Sequence, residues 1–489
     1  MSAGTEYVLD GYVYVEEGAT LIIEPGVVVR MSALPSSLAD LTSALVITRG
    51  AKIMAEGTAE QPIIFTSDLD DLSISTELTA RDNNTWGGLI ILGNAIVGED
   101  GGTDVIEGLP SGADDPRNSY GGSDQADNSG VLKYVSIRHG GSDIGADNEI
   151  NGLTLGGVGN GTTIDYIEVF ANQDDGIEFF GGAVNVTHAV VAFVGDDSYD
   201  MDESWAGYIQ FALSVQGEYE GGGDNAIEYD GSEDTDKDPN ETGRIYNGTF
   251  IGAGAGAANS KSTGLRLKDD GNIQIWNSIF VDQISPVYRF DEDAGTAAIA
   301  GNIAMGVSDL MQGTEPIGGI DVLQENPQLG GISRNPDGGL DPRPAQGSPA
   351  IGTALMTTEG EAVSFKGAFG TDNWALGWTA MDAFGYFRNT VSTVDFGVTE
   401  KGMKLNVPNP NPVQDNVANI TFELPETVED VQLRIYDITG QLRNQLSLGR
   451  QLDGAHQYQL NVGNYANGTY IMVLTTADSG VSQKLVISK

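Results

Sequence analysis

The 489 residues include no cysteine, only three histidines, and only 24 Lys and Arg against 70 Asp and Glu. Without cysteine there is no disulfide, no thiolate metal site and no thiol nucleophile, so stability rests on packing and hydrogen bonds. A net charge of −46 excludes nucleic acid and anionic lipid as partners, because phosphate binding is carried by Lys and Arg. No apolar run reaches the roughly 18 residues of a membrane-spanning helix, so no transmembrane segment is expected. The opening Met1-Ser2-Ala3-Gly4-Thr5-Glu6 lacks the basic and apolar regions of a signal peptide, so in an exported protein that segment is expected to have been removed.

What is present is glycine, 67 residues of it, and hydrophobic side chains at 40%, a composition for strands and turns rather than helical bundles. The apolar runs are short: Tyr12-Val13-Tyr14-Val15, Thr20-Leu21-Ile22-Ile23, Leu45-Val46-Ile47, Pro62-Ile63-Ile64-Phe65, separated by Gly, Asn and Asp. A period decides their arrangement. Ile164-Asp165-Tyr166-Ile167-Glu168-Val169 is echoed 22 residues later by Val186-Thr187-His188-Ala189-Val190-Val191, and Gly176-Ile177-Glu178-Phe179 by Ser198-Tyr199-Asp200-Met201. Further copies, Ala226-Ile227-Glu228-Tyr229 and Gly264-Leu265-Arg266-Leu267, follow at longer intervals, as loops inserted between coils would require. A repeat of this length holding two or three short strands is a β-solenoid coil, stacked on its neighbours with alternate side chains inside.

The last stretch is of another kind. Pro408-Asn409-Pro410-Asn411-Pro412 excludes helix, and alternating strands such as Val431-Gln432-Leu433-Arg434-Ile435-Tyr436 and Tyr470-Ile471-Met472-Val473-Leu474 follow, with turn signals at Asp437-Ile438-Thr439-Gly440 and Asn467-Gly468. Residues 401–489 carry 7 cationic and 8 acidic side chains, against 17 and 62 before them. So abrupt a change of charge marks two units with different partners. Pro408-Asn409-Pro410, Ile435-Tyr436-Asp437 with Gly440, Gly468-Thr469-Tyr470 and Lys484-Leu485-Val486-Ile487 resemble the C-terminal sorting domain (type A) of type IX secretion cargo in Bacteroidetes. The resemblance implies engagement with the type IX machinery through this domain, cleavage of the domain at the surface, and a secreted or outer cell-surface location.

The body carries a second resemblance. Leu45-Val46-Ile47-Thr48-Arg49-Gly50-Ala51-Lys52-Ile53, Ala55-Glu56-Gly57-Thr58, Trp86-Gly87-Gly88-Leu89 and Leu340-Asp341-Pro342-Arg343-Pro344 with Gly347-Ser348-Pro349-Ala350 are similar to secreted β-helix proteins of the pectate-lyase-like class. The expected fold is all-β: a right-handed parallel β-helix over 1–390, a linker over 391–403, and an immunoglobulin-like β-sandwich over 404–489. Trp374 and Trp378 are expected to cover the last coil, where an open solenoid end exposes apolar side chains and strand edges.

Chemistry concentrates between Asp174 and Asp238, where 17 acidic residues accompany one cation, Lys237. The repeat places Asp174 and Asp175 over Asp196 and Asp197, and Glu178 over Asp200. Coils about 4.8 Å apart set like charges against each other at roughly 0.8 kcal/mol per pair even in water. A column of this kind calls for counter-ions, and oxygen-rich, Gly-rich loops suit Ca2+. The candidate metal ligands are Asp174, Asp175, Asp196, Asp197, Asp200, Asp234, Asp236 and Asp238. The Asp234–Asn240 loop starts like an EF-hand but has Pro239 where Gly is needed and Ile245 in place of the terminal Glu, so an EF-hand is rejected. A solvated acidic face that keeps a secreted solenoid soluble is the bland account.

The alternative is a polysaccharide hydrolase or lyase using Asp174, Asp175, Asp196 and Asp197 as paired carboxylates, with Arg266-Leu267-Lys268 resembling the Arg-x-Lys clamp of polygalacturonase-like enzymes. That family's Gly-His-Gly segment is missing. His188 occupies the strand position of Tyr166 and reads as a stacked or packed histidine, and His139 has no second histidine near it in sequence with which to build a metal site. Trp86, Trp205 and Trp276 read mainly as core. The favoured expectation is a non-catalytic scaffold, adhesin or carbohydrate-binding surface component, stabilised by calcium, with polysaccharide or cell-surface glycans as partners.

Overall fold

A computed structural model describes residues 1–37, 41–72, 78–99, 102–109, 115–144, 149–232, 241–306, 309–314, 319–388, 403–406, 408–414, 416–437, 442–476 and 480–489. The chain divides into two compact units, Met1–Arg388 and Asn389–Lys489.

The first unit is built from two long parallel sheets, one of ten strands and one of fifteen among the described residues. Each strand pairs with its counterpart one coil away, Ile164 with Val186 and Glu178 with Asp200, the 22-residue period made physical. This is the parallel β-helix expected. Alternate residues point inward, so Ile177, Phe179, Tyr199, Met201, Ile227, Tyr229, Leu265 and Leu267 join one continuous apolar core along the axis. Trp86 and Trp205 lie wholly inside it.

The strands of the larger sheet bend sharply midway, which turns two sheets into three faces. In six successive coils the bend falls at a residue with positive φ: Tyr134 (49°), Tyr166 (58°), His188 (51°), Phe211 (61°), then Asn247 (54°) and Asn277 (57°). A side chain other than glycine in this conformation costs on the order of 1–3 kcal/mol, and stacking along the column offsets it. Tyr134 and Tyr166 stack with centroids 4.3 Å apart, Tyr166 and His188 at 4.2 Å, His188 and Phe211 at 4.9 Å. His188 is therefore a stacked ring, held by Asp165 at 2.9 Å.

After the last coil the chain doubles back along this column instead of closing the solenoid end. Asn277 donates to Leu355 O and accepts from its N–H, Asn247 donates to Phe365 O, and Gln210 donates to Glu361 O. The strap finishes in a short helix, Ala380–Ala383, whose first N–H groups (Ala380 at 2.6 Å, Met381 at 3.1 Å) donate to the fully buried carboxylate of Glu168. The expectation for Trp374 and Trp378 is corrected accordingly. Trp374 sits edge-on to His188 at 5.1 Å and Trp378 edge-on to Tyr134 at 5.7 Å, so both cover the flank of the middle coils. The flank attracts the strap because its ring edges are apolar and its amide side chains need partners for both donor and acceptor.

The second unit packs a sheet of Lys404–Leu405, Val417–Leu424 and Gly454–Asn461 against one of Val428–Asp437, Leu442–Gln451, Gly468–Thr475 and Gly480–Ile487. Ile420, Phe422, Leu433, Ile435, Leu460, Met472, Leu474 and Leu485 fill the space between them. This antiparallel sandwich fits the immunoglobulin-like class. The turn expected at Asp437–Gly440 lies largely outside the described residues, as does the linker apart from Met403.

Candidate functional site

The ten-stranded sheet presents an outward column in which pairing carries Thr154 to Glu178, Asp200, Glu228, Arg266 and Arg289 in successive strands. These side chains point away from the core because their neighbours on either side point into it. Two residues further along the strands, Phe180 pairs with Asp202 and Asp230 with Lys268. Asp202 and Asp230 lie close enough to bear on each other's ionisation, and one oxygen of each is buried without a hydrogen-bond partner.

In the turn before these strands the acids bond from coil to coil. Asp175 Oδ1 accepts Asp197 N–H at 2.8 Å, and Asp197 Oδ1 accepts Asn225 N–H at 2.6 Å. Asp197 Oδ2 also accepts from the Asn225 amide at 3.0 Å, and that amide donates to Glu228 at 2.7 Å. Asp224, the residue that continues the Asp174 and Asp196 row, is neutralised by Lys261 at 2.7 Å.

Among the described residues three groups bring carboxylate oxygens within 4.8 Å of one another: Asp174, Asp175 and Asp196; Asp175, Glu178 and Asp200; and Glu99, Asp104 and Glu203. Of the residues singled out in the sequence, Asp174, Asp175, Asp196 and Asp200 are thus gathered into these groups, with Asp197 beside them but already hydrogen-bonded through both oxygens. Asp234, Asp236 and Asp238 lie outside the described residues. Arg266 and Lys268 do not meet the four Asp of the proposed catalytic set. Arg266 pairs with Asp291 at 2.8 Å and Glu228 at 3.3 Å, and Lys268 with Glu228 at 2.6 Å and Asp230 at 2.8 Å.

The electrostatics follow from this layout. Burial, reinforced by Asp200, Asp174 and other acids around it, pushes the Asp175 carboxyl well above the usual range, and Glu178, Asp197 and Asp200 shift the same way for the same reasons. Burial and Asp196 raise Asp174 to about 7; burial and Asp224 raise Asp196 to about 6. Asp202 is raised to about 8 and Asp230 to about 9, burial again leading. Glu228 goes the other way: burial opposes its charge, but Lys268 and Arg266 outweigh that and hold it below the ordinary value.

The donor set suits a hard cation. Asn151 is 1% exposed, donates its amide to Glu178, and leaves its Oδ1 without a partner, as does Asp200 with one oxygen. Buried acceptors without donors are costly, and a cation among Asp175, Glu178 and Asp200 would satisfy the oxygens of Asn151 and Asp200 that lack a partner.

Sequence reasoning passes over the residues that wall this column. Glu99, Asp104, Glu107 and Tyr120 come beside Phe180, Asp202, Glu203, Asp230 and Lys268 around a cleft of about 410 Å³. Tyr120 donates to Glu203 and its ring packs against Phe180 at 5.9 Å. Glu107 is raised to about 7 by burial and Glu149. Glu99, Asp104 and Glu107 do not recur at the coil period, so spacing holds no signal for them. Their only trace is the Gly-rich interruption between the strands Leu89–Leu92 and Gly130–Arg138.

Comparison with protein families places residues 1–317 in the pectate-lyase-like β-helix domain and residues 409–488 in the secretion system C-terminal sorting domain. The first match spans more than half of the chain, which therefore belongs to the pectate-lyase-like β-helix family. The sorting domain makes it cargo of the type IX secretion system, secreted or displayed at the cell surface. No curated protein matches the chain, and no described helix is long and apolar enough to cross a membrane.

Proposed function

We propose that this exported β-helix is a non-catalytic cell-surface component, a scaffold, adhesin or glycan-binding protein, whose acidic ladder is stabilised by calcium. The observation that carries the reading is the group Asp175, Glu178 and Asp200, with oxygens within 4.8 Å, closed over by an Asn151 whose oxygen has no donor. Asp174 and Asp196 supply further oxygens beside it. Calcium there would contribute the positive charge that Asp175, Glu178 and Asp200 lack, since Arg266 and Lys268 are paired with Glu228, Asp230 and Asp291. The non-catalytic part rests on Arg266 and Lys268, whose charges are taken up by Glu228, Asp230 and Asp291 and so are not free to clamp a substrate.

Hydrolysis is the second reading, favoured by a specific pair. Asp202 and Asp230 adjoin at the wall of the cleft, next to Lys268, and carboxyl groups raised by burial to about 8 and 9 suit a general acid. Calorimetric titration of Ca2+ into the metal-free chain, run beside a screen for reducing-sugar release on a polysaccharide panel, separates the two. Saturable binding lost in Glu178→Gln, with no release, is the expected result. Release abolished by Asp202→Asn overturns the non-catalytic reading, and absence of Ca2+ binding overturns the calcium reading.

A further inference from the structure

Tyr134 and Tyr166 occupy the same place in successive coils. Both have the left-handed backbone of the bend, with φ of 49° and 58°, and the residues flanking them pair across the sheet, Lys133 with Asp165 and Val135 with Ile167. Side chains that leave matched backbones about 4.8 Å apart run parallel. The two rings accordingly lie face to face, with centroids 4.3 Å apart and planes 12° from parallel. Burial, together with Tyr134, raises the Tyr166 hydroxyl to about 12, so this phenol keeps its proton at neutral pH.

The chain has 17 tyrosines, and among the described residues no other two are placed in this way. Tyr208 and Tyr246 are 6.3 Å apart and tilted by 38°, and Tyr465 and Tyr470 meet edge to face at 5.1 Å and 74°. Parallel stacking brings the ring carbons of one phenol against those of the other, the near-attack contact that a bond between them requires. Both tyrosines are half-buried rather than sealed from solvent, so a small oxidant reaches them.

Outside the cell, oxidising conditions let secreted proteins tie distant segments with disulfides. A chain with no cysteine has no such bond to make. Coupled phenols are another route to a covalent tie, and these two lie 32 residues apart, on neighbouring coils.

We propose that Tyr134 and Tyr166 form an oxidative coupling site, joined by a carbon–carbon bond between the ring positions beside their hydroxyls, which staples two coils of the solenoid. The oxidant is a peroxide acting through a haem peroxidase. One electron leaves each phenol as its hydroxyl releases a proton, and the two radicals pair through the carbons next to the oxygens. The hydrogens on those carbons then move to the oxygens, which restores both phenols. Two electrons and two protons are lost in all, and one hydrogen peroxide takes them up to become two waters. The other rings in reach compete poorly. Trp378 meets both tyrosines only edge-on, at 5.7 and 6.2 Å, and His188, on the far face of Tyr166 at 4.2 Å, is an imidazole, which resists the one-electron oxidation that phenols undergo.

The test treats the full chain, kept dilute, with a haem peroxidase and hydrogen peroxide, and maps the product by digestion and mass spectrometry. Dityrosine fluorescence appears in protein that still runs as a monomer under denaturing conditions. One joined pair of peptides carries it, holding Tyr134 and Tyr166 and lighter than their sum by two hydrogens. Tyr134→Phe and Tyr166→Phe each keep the ring stack and lose the product, whereas Tyr208→Phe retains it. Treatment raises the melting midpoint of the parent by about 4 °C more than that of Tyr134→Phe, as closing a loop of this length implies. The proposal is overturned if no peptide joining Tyr134 to Tyr166 forms, if Tyr134→Phe gives the same fluorescence, if Trp378 or His188 is the partner instead, or if treatment moves the parent and Tyr134→Phe midpoints equally.

Discussion

Calcium and pH should act on the stability of the body in opposite directions, and the structure sets both signs. Asp196, Asp174, Asp202 and Asp230 have folded pKa values raised to about 6, 7, 8 and 9. A group whose folded pKa exceeds its unfolded value contributes stability that is whole below the unfolded pKa and is lost as pH rises through the folded one. Without metal, then, the melting temperature falls steadily between about pH 5 and 9. Calcium at the proposed site would bind the charged form, so the same interval is where it would stabilise most. At 100 times its Kd, one site adds about 2.7 kcal/mol. The body spans Met1–Arg388, and at roughly 2.1 cal/mol/K of unfolding entropy per residue that corresponds to about 3 °C per site. Asp175→Asn sharpens the test. Asp175 faces Asp200, Asp174, Asp197 and Glu178, and relieving four contacts at roughly 0.8 kcal/mol each raises the metal-free midpoint by about 3–4 °C near pH 9. It does less toward acid pH, because burial and the surrounding acids favour the protonated Asp175 carboxyl, and it removes the calcium increment. Scanning calorimetry in chelator and in calcium across this range is the assay. A flat metal-free profile, or an Asp175→Asn variant that melts lower than the parent at pH 9, would refute the argument.

Three further outcomes concern the flank and the tail. Glu168→Ala strands the N–H groups of Ala380 and Met381 and should cost about 2–4 kcal/mol, with limited proteolysis cutting first within 346–388. Trp378→Ala, at a side chain 2% exposed, should cost about 3–5 kcal/mol and produce the same cleavage pattern, since Trp378 and Glu168 secure one strap. Removing residues 404–489 should leave the body's calorimetric transition within about 1 °C, because the sandwich has its own closed core.

The solenoid was legible because one number, the 22-residue repeat, constrains strand pairing, core alternation and the stacking of Asp175, Glu178 and Asp200 all at once. Parallel coils convert sequence spacing directly into spatial register, so Glu178 pairs with Asp200 as the count requires. The strap escaped for the converse reason. Trp374 lies 186 positions from His188, and nothing periodic links them; the segment is drawn back by the need of Asn277, Asn247, Gln210 and Glu168 for partners and by the packing of Phe369, Trp374 and Met381 on the flank.

The same division explains the site. Acids on strands declare their neighbours, but acids on insertions do not, and the cleft is made from both. Asp202 and Asp230 belong to the repeat, whereas Glu99, Asp104, Glu107 and Tyr120 arrive on a loop whose path is decided by where its apolar residues can be buried. Ile106 and Tyr120 settle against Val97, Ile150 and Phe180 on the outer face of the ten-stranded sheet, and the carboxylates are carried with them. Burying apolar side chains beside a charged column lowers the local dielectric, which strengthens repulsion among the acids and attraction to any cation alike. The insertion therefore turns a solvated acidic face into a column that must either hold protons or hold metal, and the pH at which it exchanges one for the other is set by a loop that the repeat itself does not contain.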